Sequence, residues 1–143
     1  KQHVQFLQNE KKDSLLVYKG RLARPLERHV KQNFGALRDK TNQFYLISRG
    51  ELYAAKPGLP IKAISPGTVI FRDELTRWRE TLIVQHADNY YSVYAGVSNL
   101  NKSVGDLVEG NEQLGTTVGD SFYFELRHFD NPINPKSWYR EKL

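Results

Sequence analysis

Gly119-Asp120-Ser121-Phe122-Tyr123-Phe124-Glu125-Leu126-Arg127 reads as a β-strand, with a glycine leading in and Arg127-His128 leading out. At a period of two, Ser121, Tyr123 and Glu125 share one face of such a strand, and Phe122, Phe124 and Leu126 share the other. The second set is wholly apolar and belongs against the core. Ser121 and Tyr123 are therefore expected to look out onto the opposite surface.

The surrounding composition suits a small β-domain. The 143 residues allow one domain with a modest core, and eight Tyr, seven Phe and two Trp stand in a chain that is only 39% hydrophobic. Thr68-Val69-Ile70-Phe71 and Thr81-Leu82-Ile83-Val84 are strand-length and rich in β-branched residues. No apolar run approaches the ~18 residues that span a bilayer, so no membrane insertion is expected of this fragment. The chain opens Lys-Gln-His without a starting Met, as a mature product or a cut piece would. Cysteine is absent, which removes disulfides and thiolate zinc sites. The formal charge is +5, but the basic residues are scattered without a block of like charges. That pattern reads as a solvated basic surface, and no nucleic-acid partner is expected.

Residues 1–18 are expected to form a short helical lead-in, with Val4, Leu7 and Leu15-Leu16-Val17 along it and Gly20 as the stop. A short helix is marginal alone in water, so it has to pack on the body or continue an upstream coiled coil. Residues 19–143 then form the β-domain. Asp88-Asn89 reads as a hairpin turn, because both residue types tolerate positive φ. Residues 104–119 carry glycines at 105, 110, 115 and 119, and read as very short strands joined by turns.

Several separated phrases, in order, resemble the LytM/lysostaphin-type zinc endopeptidases, which cut peptidoglycan. Lys19-Gly20-Arg21-Leu22 through Pro25, followed by Val30 and Phe34-Gly35, is similar to the opening of the LytM domain in EnvC-type division proteins. Gly50, Ala55, Gly58, Pro60-Ile61, Ala63, Gly67 and Val69 fall in register with the family phrase His-x-Gly-x-Asp-(Ile)-x-Ala-x-x-Gly-x-Pro-Val-x-Ala-x-x-x-Gly-x-Val. Tyr94-Ala95 matches a Tyr-Ala-His phrase, and Ser121-Phe122-Tyr123-Phe124-Glu125 matches His-Leu-His-Phe-Glu. Asn131-Pro132 through Trp138 resembles the family's closing segment. The Val104-Gly105-Asp106 phrase is also shared with biotinyl and lipoyl carrier domains, but no suitably placed lysine turn accompanies it.

The resemblance implies a mainly β fold: a LytM-like antiparallel sheet, sandwich or half-barrel, with an open groove. It also implies that the metal-ligand and catalytic-histidine positions are held by Ser48, Leu52, Gly96, Ser121 and Tyr123. Catalytic zinc needs three protein ligands and an open position. Leu52 offers no lone pair and neutral hydroxyls are poor ligands, so neither enzyme activity nor a cofactor is expected. The four histidines, at 3, 29, 86 and 128, lie in no metal-binding spacing, and His86 reads as structural or surface.

What remains is a groove suited to a helix or peptide. The EnvC-type resemblance implies a non-catalytic regulator that activates periplasmic N-acetylmuramoyl-L-alanine amidases in cell division by binding an autoinhibitory helix. Gly50, Leu52, Trp78, Tyr94 and Tyr123 are the expected partner contacts. The alternative is a peptidoglycan-binding scaffold gripping its ligand through Trp78, Tyr90 and Tyr91.

Overall fold

The computed structural model of the protein describes residues 14–38, 45–74 and 80–141. Residues 1–13 of the expected lead-in and Trp78 lie outside them. The strands are β1 (Val30–Gln32), β2 (Gly35–Arg38), β3 (Tyr45–Ser48), β4 (Glu51–Ala54), β5 (Pro60–Lys62), β6 (Gly67–Glu74), β7 (Glu80–Gln85), β8 (Tyr90–Ser98), β9 (Leu107–Val108), β10 (Gln113–Thr117), β11 (Ser121–His128) and β12 (Asn131–Ile133). Ten of them form one antiparallel sheet with the path β1-β4-β11-β8-β7-β6-β9. Beside that path β10 pairs with both β5 and β8, β12 pairs with β11, and β2-β3 form a separate two-stranded sheet. The sheet is open, as expected, and the quoted strand β11 lies between β4 and β8.

Alternation along β11 sorts its side chains as expected. Phe122, Phe124 and Leu126 are fully buried among Tyr53, Tyr94, Leu82, Val84 and Leu114. Burying an aromatic side chain of this size contributes roughly 2–3 kcal/mol, so the two phenylalanines alone stabilise the layer substantially. The β7–β8 connection has Asp88 at φ 63° and Asn89 at φ 61°, both in the left-handed region that the pair tolerates.

The core side of the sheet is closed by the two ends of the described chain. Leu15, Leu22 and Leu26 come from the N-terminal segment, Trp138 and Tyr139 from the C-terminal one. Backbone bonds from Gly20 N and Leu22 N to Trp138 O (3.0 and 3.1 Å), and from Arg140 N to Leu22 O (2.8 Å), tie the ends together. Of the helical lead-in, Leu15–Tyr18 form a single 3₁₀ turn, and Gly20 follows at φ 86°. Ser14 caps the turn through Leu16 N and donates from Oγ to Asp88 Oδ2 at 2.9 Å, which pins the segment to the β7–β8 turn.

Beneath the sheet, Glu51 is buried and its Oε1 accepts from Tyr139 Oη (2.6 Å) and Tyr53 Oη (3.0 Å). Arg24 completes the cluster, donating from Nη1 to Tyr53 Oη at 3.4 Å with its guanidinium carbon 4.4 Å from the centre of the Tyr139 ring. Burial first pushes both phenols far above their ordinary range, followed by Glu51 for Tyr53 and by Tyr53 and then Glu51 for Tyr139, so both remain donors to Glu51. This network joins β4 to both terminal segments.

Candidate functional site

The face of the sheet opposite the core carries a groove. Cross-strand pairing lays its floor out in rows. One runs Asp73, Thr81, Ala95, Tyr123, Leu52; the next Phe71, Ile83, Val93, Glu125; the third Gln85, Tyr91, Arg127. A cavity of about 470 Å³ occupies this face, lined mainly by Ile70, Ile83, Val93, Ala95, Tyr123 and Arg127.

Glu125 is the charged centre of the floor. It is buried, and it accepts from Tyr123 Oη (2.6 Å, at Oε2) and from Arg127 Nε (2.7 Å, at Oε1). Burial and the adjacent carboxylate push the Tyr123 phenol far above its usual range, so it stays protonated. Thr81 Oγ1, in the first row, is buried without a hydrogen-bond partner.

The positions singled out in the sequence converge. Tyr123 and Leu52 are direct cross-strand partners on β11 and β4. Ser48 ends β3 and donates from Oγ to Gly50 O at 2.8 Å. A Cβ on Gly50 would lie 2.3 Å from Phe124 O and 2.9 Å from Tyr123 Cζ, so the β3–β4 turn sits directly against β11. Ala95, next to Gly96, pairs with Tyr123, and Gly96 is the extra residue of a β-bulge with φ 85°. Ser121 pairs with Ala54, one step beyond the cavity, and Ser48, Leu52 and Gly96 also flank the cavity rather than line it.

Three expected contacts are corrected. Tyr94 is fully buried: its Cα partner on β11 is Phe124, so the two rings share the core face, 5.4 Å apart. Tyr90 likewise turns inward, stacked on His128 at 4.0 Å and edge-on to Trp138 at 5.2 Å. Gly50 is buried, and its part is to let the turn close on β11 rather than to touch a partner. The groove is instead faced by the other parity of β8, Tyr91, Val93 and Ala95. The signal for this was the pairing of β8 with β11, because side chains of cross-strand partners point the same way.

His86 is buried below the core side, with Nδ1 2.7 Å from Pro66 O and Nε2 2.7 Å from Ser92 Oγ. A carbonyl only accepts, so Nδ1 carries the proton and the neutral ring accepts at Nε2 from Ser92. Tyr94 Oη, 2.8 Å from Ser92 Oγ, continues the chain and accepts from Ile64 N at 3.0 Å. Burial brings His86 down to about 4, opposed by its bond to Pro66 O.

The zinc that the resemblance implies for active peptidases does not fit these residues. Leu52 has no donor atom, the neutral Ser48 hydroxyl is a weak ligand turned to Gly50 O, and Tyr123 holds its proton against Glu125. Among the described residues no group of three or more His, Asp or Glu is placed to hold a metal ion.

Residues 47–135 match the family described as Peptidase family M23. The chain belongs to that family. Among its relatives are the uncharacterized protein NMB1333 of Neisseria meningitidis, 30% identical over 126 residues and matched over 85% of this chain and 20% of its own length. The murein hydrolase activator EnvC of Escherichia coli is 30% identical over 63% of this chain and 23% of its own. The DD-carboxypeptidase/endopeptidase Mpg of Neisseria gonorrhoeae is 28% identical over 59% of this chain and 21% of its own. The M23 chain thus spans about a fifth to a quarter of these relatives. In fold it is similar to Helicobacter pylori Csd3 (TM-score 0.76, 22% identity, 87% of this chain and 36% of that one). It is also similar to a chain of the SpoIIQ–SpoIIIAH pore forming complex (TM-score 0.71, 21% identity, 87% and 94%).

Proposed function

We propose that this M23 domain is a non-catalytic regulator that acts in the periplasm. It binds the autoinhibitory helix of an N-acetylmuramoyl-L-alanine amidase in the groove and so activates the amidase during septal wall splitting. The observation that carries the reading is the floor of the groove. Where a peptidase needs metal donors, Leu52 and a protonated, carboxylate-bonded Tyr123 stand side by side, continuous with Ala95, Val93 and Ile83. The likeness to a murein hydrolase activator supports the same role.

The floor suits a helix dimensionally. Successive rows of side chains on one sheet face repeat every two residues, about 6.8 Å along the strands. Residues i and i+4 of a helix repeat at about 6 Å, so apolar residues at that spacing can meet consecutive rows. The partly exposed Arg127 guanidinium provides a polar anchor point beside the apolar ones.

The test is amidase-dependent release of dye-labelled peptidoglycan. Leu52→Glu and Tyr123→Ala should each reduce activation at least 10-fold while the thermal melt stays cooperative. Two fully active variants would refute the groove assignment. Stoichiometric zinc in the purified protein, with cleavage of peptidoglycan in the absence of any amidase, would refute the non-catalytic half.

A further inference from the structure

A second cleft lies away from the groove, around the loop between the N-terminal segment and β1. It encloses about 510 Å³ lined by Arg24, Glu27, Arg28, His29 and Val30. A smaller hollow shares Arg24, Glu27 and Arg28 with it and extends over Leu59 and Pro60 to Lys62. The permanent charges on these walls are three cations, Arg24, Arg28 and Lys62, against one carboxylate, Glu27, with the buried Glu51 carboxylate behind Arg24.

The loop is held rigidly enough to present them. Leu26 is buried between the arginines, Lys62 N donates to Pro25 O at 2.9 Å, and Ala54 N donates to His29 O at 3.0 Å. Arg24 is fixed on one side by Tyr53 Oη and by the face of Tyr139. A guanidinium laid on an aromatic ring keeps free N–H donors at its edge, in the fork that matches a planar carboxylate. Arg28 is exposed and has no hydrogen-bond or ion-pair partner among the described residues, which leaves its charge for a ligand.

We propose that this cleft binds an extended peptide bearing at least two carboxylates, one on Arg24 and another reaching Arg28 or Lys62. With the domain acting at murein, as proposed above, the stem peptide of peptidoglycan has that chemistry. The cleft would then give the domain a hold on the wall separate from its amidase groove.

The test is titration of ¹⁵N-labelled protein with a disaccharide–tripeptide muropeptide carrying free carboxylates, followed at the arginine side-chain and backbone resonances. Arg24, Arg28 and Val30 should shift, and Arg28→Glu with Lys62→Glu should weaken binding at least 10-fold. Raising the salt should weaken it too, because exposed charges are screened. Equal binding of the fully amidated muropeptide, shifts confined to Tyr91, Val93 and Tyr123, or no binding would each overturn the proposal. So would inorganic phosphate binding as tightly as the muropeptide. The cleft lies outside the groove that takes the amidase helix, so the Arg28→Glu/Lys62→Glu variant should bind a peptide of that helix normally even where Leu52→Glu fails. That separates the two readings.

Discussion

Acidification should weaken the fold through His86, and the size of the effect follows from its surroundings. The folded protein holds this imidazole neutral down to about pH 4, because burial among Pro66, Ser92 and Tyr94 offers the charged form little solvation. Protonation at Nε2 would also reverse the Ser92–Tyr94 chain, which supplies that nitrogen with a donor. In the unfolded chain the same ring titrates near its ordinary 6.5. Between those values the unfolded state binds more protons than the folded one, so stability falls as pH falls. The contribution is whole above about pH 6.5, declines through the interval, and levels off below about 4. At about 1.4 kcal/mol per pH unit the full loss is ~3 kcal/mol, with roughly 2 kcal/mol of it between pH 7 and 4.5. Urea unfolding at those two pH values, on the protein and on His86→Gln, isolates the term. Glutamine can still accept from Ser92 but leaves Pro66 O without its donor, which costs about 1–3 kcal/mol at either pH. The variant should therefore be less stable at pH 7 and lose less on acidification, closing the gap by roughly 2 kcal/mol. A gap that is the same at both pH values would refute the reasoning.

Gly50→Ala should destabilise the domain by about 2–3 kcal/mol, because the new methyl meets backbone oxygen Phe124 O, which cannot swing aside. Gly110→Ala, whose nearest contact would be 3.5 Å, should leave the melting temperature within a few degrees, so equal melts for the two would overturn this account. Tyr139→Phe removes the 2.6 Å donor to buried Glu51 and should cost about 2 kcal/mol in urea unfolding. An unchanged midpoint would mean that Tyr53 alone satisfies the carboxylate.

How far the molecule could be read from its residues varied with the range of the interaction concerned. The face of β11 was legible, because Phe122, Phe124 and Leu126 differ so sharply from their alternates. Strand β8 was not. Tyr90, Ser92 and Tyr94 look no more like a core face than Tyr91, Val93 and Ala95 do, and the choice is made by register against Phe124 on a distant strand. Nor could composition show that Ser92 and Tyr94 would be drawn inward by His86 and Ile64 N. The basic cleft was equally hidden, because Arg24 and Lys62 stand 38 positions apart and meet only once β5 is in place.

Gly96 bears on what the groove could accommodate at its edge. The family resemblance puts a histidine at this point, yet the backbone here is bulged with φ 85°, a region that side-chained residues enter at a cost of roughly 1–2 kcal/mol. Reinstating that imidazole by a single substitution would buckle the strand or aim the ring elsewhere. The pairing with β7 would have to be reset to seat such a ring beside Tyr123 and Leu52. At this point of the groove main-chain shape, as well as side-chain identity, decides what can be held there.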